Sequence, residues 1–142
     1  MPLSAQQTAA IKEVLQTILA QTITRGKRLV QVAGMFMDLV DRQEWPQYYE
    51  ASPLRFLSLI VFKKYFQKVI PEPRCLKNIQ TSLDKGRYKE PLDVYRDISL
   101  VFWNALFYNE PDSQIADDAN SLKVWSFVTL FQINALTARR VF

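Results

Sequence analysis

The spacing of apolar residues in the first part of the chain predicts an amphipathic helix. From Ser4 to about Thr22, apolar side chains recur three and four residues apart, which places them on one helical face. The members of this stripe are Ile11, Val14, Leu15, Ile18 and Leu19. Ser4 followed by Gln7 fits a capping box, so we expect the helix to begin directly after Ser4. Gly26 is predicted to end this helical region.

Three later segments carry helix signals of their own. The first runs from Pro73, a residue suited to an opening helical position, to Lys85, with Gly86 as a left-handed cap. The second, from Pro91 to Tyr108, is apolar over more than one face, which is typical of a central helix in a bundle. The third is predicted to start near Gln114, with Ser113 as its cap.

The stretch between Gly26 and Pro73 shows no sustained periodicity of hydrophobic residues. No alternation that would indicate a strand persists there, and prolines interrupt it. A connection of this length is unusual in a compact domain unless it is functional or partly structured. The pattern therefore predicts an all-α fold, a four-helix bundle with a long loop between its first and second helices.

Composition narrows the possible functions. A chain of 142 residues is expected to form a single domain, here residues 1–142. It has no histidine and one cysteine, Cys75, which excludes a disulfide within the chain and an imidazole base and disfavours a zinc site. We expect Cys75 to be a buried structural residue. The sequence thus predicts no enzyme, no metal and no cofactor.

The net charge of +4 is unevenly distributed. Residues 51–68 hold four basic side chains and no acid, and residues 124–142 hold two arginines and no acid, so the rest is slightly acidic. We therefore expect no sequence-specific nucleic-acid partner. The longest apolar run, residues 56–62, is too short to cross a bilayer, and the start of the chain has no signal-peptide pattern. An intracellular protein without a membrane partner is expected.

Four motifs follow one another along the chain. They are Trp45-Pro46-Gln47-Tyr48-Tyr49, the segment from Pro73 to Tyr88, the segment from Asp97 to Asn109, and the segment from Ser113 to Leu122. In this order, over roughly residues 36–123, they resemble the bromodomain family. The residues of the last two motifs are most similar to those of the polybromo and RSC branch, which is found in chromatin-remodelling complexes of the SWI/SNF type. The resemblance implies a left-handed four-helix bundle.

The resemblance also implies a binding site for acetyl-lysine. Asn109 would donate its side-chain amide to the acetyl carbonyl, and Tyr48 would hold a water that bridges to the same oxygen. Ile115 would guard the pocket mouth, and Tyr108 would line its wall. The family's apolar loop positions are matched by Phe36 and Leu39. The partners implied are acetylated histone tails and the subunits of a remodelling complex in the nucleus.

The residue types suit such a ligand. Acetylation removes the lysine charge and leaves an amide on an apolar stem. Its pocket needs apolar walls and very few polar groups, because an unpaired buried carbonyl costs about 1–3 kcal/mol. A competing interpretation of Asn109 is a simple helix C-cap. Asn104, also on the third helix, is predicted to make a structural hydrogen bond instead of touching ligand.

Two segments depart from the family pattern. Removing residues 51–68, which follow the tyrosine pair, restores the family spacing without remainder. We favour a translated intron or gene-model error over a genuine insertion that forms an extra amphipathic helix. Residues 124–131 are apolar and acid-free where the family continues a charged helix, and our hypothesis for the divergent tail 124–142 is a second misread splice boundary. Val40 stands where the polybromo branch often has proline. The alternative function is therefore a degenerate bromodomain that serves as an interaction scaffold without binding acetyl-lysine.

Overall fold

The computed structural model describes residues 2–49 and 70–138, with side chains as far as residue 129. The 51–68 segment lies outside the described residues, and with it both the favoured gene-model error and the competing interpretation of an extra amphipathic helix. Helix α1 spans Ala5–Ala20. The capping box is confirmed, since Gln7 N donates to Ser4 Oγ over 3.1 Å and Ser4 N donates to Gln7 Oε1 over 3.0 Å. The helix ends two residues before the predicted Thr22.

A β-hairpin follows α1, where the sequence indicated irregular chain. Strands β1 (Thr22–Arg25) and β2 (Arg28–Gln31) pair antiparallel, with Arg25 opposite Arg28. Gly26 has φ 63°, so it serves the hairpin turn and not the end of a helix. The prediction was wrong because almost every residue of both strands is exposed, which leaves no buried alternation to detect.

The described part of the long loop contains two short helical elements, a 3₁₀ helix (Val32–Phe36) and helix α2 (Pro46–Tyr49). Between them, Asp41 Oδ1 accepts hydrogen bonds from the backbone N–H groups of Gln43 and Glu44 at 2.7 and 3.1 Å. These bonds give the described part of the loop a defined course.

Helix α3 spans Leu76–Asp84, three residues later than the predicted start at Pro73. Cys75 is extended, with φ −141° and ψ 157°. Arg74 is held by a 2.9 Å bond from its Nε to Asp97 Oδ1, a tertiary contact that draws the chain away from a helical path. At the other end, Gly86 has φ 66° and its N–H donates to Leu83 O over 3.1 Å, which confirms the left-handed cap.

Helix α4 spans Pro91–Tyr108, and both predicted ends are confirmed. Helix α5 spans Gln114–Ala138 and begins at the predicted residue, with Ser113 Oγ accepting from Ala116 N over 3.3 Å. The helix continues into the divergent tail as far as Ala138. The structure therefore keeps the tail in the fourth long helix.

The core lies between the four long helices and the 3₁₀ helix. Its fully buried large side chains are Ile11, Val14, Leu15, Ile18, Leu76, Ile79, Val94, Ile98, Phe102 and Leu122. The hairpin is joined to α5 by an ion pair between Arg25 and the buried carboxylate of Asp118. Cys75 is buried, as predicted. The fold is thus a helical bundle with an added hairpin on its first connection.

A cavity between the loop and the end of helix α4

A cavity of about 460 Å³ lies where the long loop meets the end of α4 and the start of α5. Its size is within the range of small-molecule sites, about 300–1,000 Å³. All six side chains predicted to form the site line it. They are Phe36, Leu39, Tyr48, Tyr108, Asn109 and Ile115. The structure therefore brings together every predicted site residue, from three separate parts of the chain.

Asn109 stands at the C-terminus of α4. Its backbone is extended, with φ −91° and ψ 157°, and its N–H donates to Ala105 O over 3.0 Å. Its side-chain Nδ2 donates to the same oxygen over 2.9 Å. Asn109 is thus a C-cap, as its competing interpretation held. A primary amide has two N–H groups, so one further donor is left for an acceptor in the cavity.

Tyr48 joins the loop side of the cavity to the helix side. Its ring packs edge-on against Tyr108 at 4.7 Å and against Tyr49 at 5.1 Å, between centroids. The side chain is 7% exposed. Burial, followed by the charges that Tyr49 and Tyr108 would carry, raises the pKa of Tyr48 to about 12. The phenol therefore stays protonated at neutral pH and keeps its O–H donor.

The loop side of the cavity is fixed by aromatic contacts. Phe36 packs edge-on against Phe102 of α4, with ring centroids 5.5 Å apart. Tyr49 donates its O–H to Val40 O, and the Arg42 guanidinium lies 4.0 Å from the centre of the Tyr49 ring. These contacts hold an irregular segment in place against a regular helix.

Among the described residues, three carboxylates border the cavity, from Asp38, Asp41 and Glu44, and Asp38 is paired with Lys77 over 3.2 Å. In the same part of the chain the cation that lines the cavity is Arg74, and its guanidinium is paired with Asp97. The border is therefore acidic although the whole chain has net charge +4. This charge pattern was not predicted, because its members are scattered between a loop and the residues before α3.

The sequence also left out several apolar residues of the cavity. Val101 and Ala105 belong to the inner stripe of α4, so their periodicity had assigned them to the core. Trp45, which is 50% exposed, stands at the cavity beside Tyr48. Trp45 opens the motif that contains Tyr48 and Tyr49, and this position could have predicted that it lies at the cavity.

Asn104 takes the structural role predicted for it. Its Nδ2 donates to Glu72 O over 2.8 Å, and the residue is 8% exposed. This bond ties the segment before α3 to the middle of α4. Because Asn104 is not among the cavity residues, it has a different role from Asn109, the C-cap of α4.

Within the described ranges, no group of three or more His, Cys, Asp or Glu residues is placed to hold a metal ion. No helix in the described part of the chain is both long and apolar enough to cross a membrane. What the described residues of the cavity offer is a mainly apolar slot with the amide of Asn109 and the phenols of Tyr48 and Tyr108. That combination suits binding of a neutral polar group on an apolar stem.

Comparison with known proteins identifies the class. The sequence model described as Bromodomain matches residues 15–121, three quarters of the chain. The chain belongs to the bromodomain family. Bromodomains, and the related subunits of remodelling complexes, are reader and scaffold modules. The domain is therefore not an enzyme.

Particular relatives narrow the comparison. The chain is 31% identical over 93 residues to the chromatin structure-remodeling complex subunit RSC4 of Saccharomyces cerevisiae, covering 66% of this chain and 12% of that protein. It is 40% identical over 63 residues to subunit rsc1 of Schizosaccharomyces pombe, covering 44% and 8%. The solved structure of the Rsc4 tandem bromodomain acetylated at K25 aligns with TM-score 0.75 and 21% identity, over 99% of this chain and 49% of that one. The chain thus spans a small part of these curated relatives, and the structural likeness shows the fold.

Proposed function

We propose that this domain binds acetyl-lysine in histone tails, with Asn109 as the direct donor to the acetyl carbonyl. The observation that carries the proposal is the cavity in which Asn109 and Tyr48 meet among apolar side chains. In this scheme Tyr48 holds a bridging water, Tyr108 and Phe36 form walls, and the side chains at the mouth are Leu39 and Ile115.

The chemistry of the slot selects the modified form of lysine. A charged ammonium would lose its hydration among these apolar walls, at a cost larger than that of a neutral amide. The acetyl carbonyl would find the unused Asn109 N–H and one water, which together satisfy it. Discrimination therefore comes mainly from the penalty on unmodified lysine.

The acidic border supports a basic peptide as the ligand. Histone tails carry many lysines and arginines, and the carboxylates of Asp41 and Glu44, together with that of Asp38, which is paired with Lys77, line the cavity. Exposed charges of this kind act mostly on association rate and on the choice of partner. The border thus favours a cationic tail over an acidic one.

Membership of a nuclear chromatin-remodelling complex is the second part of the proposal. It is supported by the names of the relatives, which are subunits of such complexes in two yeasts. The chain matches 12% and 8% of their lengths, so the domain shares one module with them. Purification of the tagged full protein from nuclei, with the complex subunits identified by mass spectrometry, tests this part.

Titration with matched peptides tests acetyl-lysine binding. Acetylated histone peptides should bind in calorimetry, and the unmodified peptides should bind far more weakly. Asn109→Ala should weaken binding by about 1–3 kcal/mol, because the acetyl carbonyl loses its direct donor. Asn78→Ala is the matched control, since Asn78 is an exposed asparagine of α3 away from the cavity.

Circular dichroism must accompany this comparison, because Asn109→Ala also removes the 2.9 Å bond to Ala105 O. A folded Asn109→Ala protein with unchanged peptide affinity would remove Asn109 from the binding site. Equal affinity for acetylated and unmodified peptides in the wild-type protein would overturn the whole proposal.

One observation favours the alternative of a scaffold without ligand binding. The Asn109 amide already donates to Ala105 O, so half of its donor capacity serves the helix end. Residues 51–68, which depart from the family spacing, also begin three residues after Tyr48 in the sequence. No acetyl-dependent binding in the titration, with a folded protein, would establish this alternative.

A further inference from the structure

The ion pair between Arg25 of the hairpin and Asp118 of α5 is less exposed than the other ion pairs in the described part of the chain. The Asp118 side chain is 6% exposed and that of Arg25 is 31% exposed, whereas the two members of the Lys77–Asp38 pair are 63% and 73% exposed. Water and salt screen a buried pair much less than an exposed one. The contact between Arg25 and Asp118 should therefore persist in solution.

Asp118 also belongs to a hydrogen-bonded turn at the start of α5. Its Oδ1 accepts from Gln114 Nε2 over 3.2 Å, in addition to the guanidinium of Arg25. Ile115 is the second residue of this helix and lies on the same side, one turn before Asp118. Ile115 is half-buried and lines the cavity. The Asp118 carboxylate thus holds the turn that carries Ile115.

The hairpin leads directly into the loop side of the cavity. The 3₁₀ helix that follows β2 supplies three cavity residues, which are Gly34, Met35 and Phe36. At its base the hairpin is bonded to the end of α1, where Gln31 Nε2 donates to Leu19 O over 2.6 Å. Next to its turn the hairpin is bonded to α5 through Arg25. The ion pair therefore joins the loop side of the cavity to the helix side.

We propose that the Arg25–Asp118 pair holds Ile115 against the loop side of the cavity, which makes both members positioning residues for acetyl-lysine binding. This role rests on the proposed function. Neither Arg25 nor Asp118 lines the cavity, so the pair acts through Ile115 and not by touching the ligand. Without the pair, the hairpin keeps its bond to α1 and loses its bond to α5. The first turn of α5 and the loop are then free to separate at the cavity mouth.

Displacement of Ile115 weakens binding because dispersion contacts depend steeply on distance. A radial gap of about 0.5–1 Å removes about a quarter to a half of the attraction between apolar groups. Arg25→Met is therefore expected to weaken the binding of an acetylated histone peptide by about tenfold, which equals about 1.4 kcal/mol.

Methyl NMR of the full chain tests the positioning of Ile115 directly. In protein labelled at the isoleucine δ1 methyl groups, the Ile115 signal is assigned with Ile115→Val. This signal should shift or broaden in Arg25→Met, while the signal of the buried core residue Ile79 should stay in place. Arg25→Lys should keep the wild-type Ile115 signal and most of the peptide affinity, because the contact with Asp118 uses one nitrogen of the cation.

The matched control is Arg28→Met. Arg28 lies directly opposite Arg25 in the hairpin, is exposed, and forms no ion pair within the described residues. The control therefore makes the same change of side chain and charge in the same element. It should keep the wild-type Ile115 signal and the wild-type peptide affinity.

Asp118→Asn covers the case in which Arg25→Met leaves the buried carboxylate unpaired and fails to fold. It removes the ion pair without burying a lone charge, because the partly exposed Arg25 can be hydrated, and it should also displace the Ile115 signal and weaken peptide binding.

Three results would each overturn the positioning role. They are a wild-type Ile115 signal in a folded Arg25→Met or Asp118→Asn protein, an equal displacement in Arg28→Met, and a displaced signal with unchanged peptide affinity. Equal binding of acetylated and unmodified peptides by the wild-type protein is a different failure. It would overturn the proposed function, while the Ile115 signal in the free protein would still report on the ion pair.

Discussion

The cavity has two walls that are built by different means. On one side Tyr108, Asn109 and Ile115 stand at the facing ends of two long helices, where backbone hydrogen bonds fix their positions. On the other side Phe36 and Tyr48 come from short elements inside a long loop. The helix wall is held by local geometry, and the loop wall is held by tertiary contacts.

This difference shows where the site is vulnerable. The helix wall keeps its shape as long as α4 and α5 form, because each residue is placed by its own turn. The loop wall depends on single contacts, of which the Phe36–Phe102 and Tyr48–Tyr108 ring pairs reach across to α4. Changes in these aromatic residues should therefore have larger effects than changes elsewhere around the cavity.

The largest effect is expected from Phe36→Ala. Phe36 is 6% exposed and packs against Phe102. Its removal leaves a cavity in the core, which for Phe→Ala costs about 3–5 kcal/mol of unfolding free energy. Urea denaturation measures this loss. Met35→Ala is the matched control, because Met35 is the neighbouring residue and is 63% exposed, so its effect should stay within about 0.5 kcal/mol. Similar losses in both variants would show that the loop wall is not held by Phe36.

A smaller effect is expected from Tyr48 at alkaline pH. The pKa of Tyr48 is raised from 10.0 to about 12 by burial, so the folded state holds this proton more tightly than the unfolded chain. The contribution of the Tyr48 proton to the free energy of unfolding is fully present below pH 10 and is lost as the pH rises through 12. The loss amounts to about 2–3 kcal/mol at most, at 1.36 kcal/mol per pKa unit.

Comparison of wild type with Tyr48→Phe isolates this contribution from other titrating groups. Urea denaturation between pH 9 and pH 12 should show a shallower decline for the variant, because phenylalanine has no proton to lose. Parallel curves for the two proteins would show that Tyr48 is not desolvated in the folded state. The same variant should bind acetylated peptide more weakly at neutral pH if Tyr48 holds the proposed water.

The helix wall was largely predictable from sequence. Pro91, the apolar stripe and the turn after Tyr108 located both ends of α4, and Ser113 located the start of α5. These signals are local, since a cap or a proline acts within one turn of its own position. The family resemblance then supplied the identity of the six cavity residues, which periodicity alone would have assigned to the core or to a cap.

The loop wall and its surroundings were less predictable for a physical reason. Pro73 predicted the start of the second helix, but the contact of Arg74 with Asp97, on another helix, delays that start to Leu76. The hairpin has exposed strands and so leaves no alternating pattern. Gly26 was predicted to end a helix, and it instead adopts its positive φ in the turn of that hairpin. Such features depend on contacts between residues distant in sequence, and no local pattern encodes them.

The smallest effect is expected from deleting residues 51–68, although this is the largest change in sequence. The chain on either side of the segment is already joined, since Ile70 N donates to Tyr48 O over 2.9 Å and Ile70 is 2% exposed. With Glu50 connected directly to Val69, Ile70 becomes the fourth residue after Tyr48. The same bond then has the spacing of a helical hydrogen bond, from an N–H to the carbonyl four residues before it. The deletion would thus extend α2 by regular geometry, and the loop wall would gain the local support that the helix wall already has.

We expect the deleted protein to keep its melting temperature within a few degrees, which corresponds to less than about 1 kcal/mol. It should also bind acetylated peptide at least as tightly as the full chain. Loss of the cooperative transition, or loss of peptide binding in a folded protein, would show that residues 51–68 are needed for the loop wall and belong to the working domain.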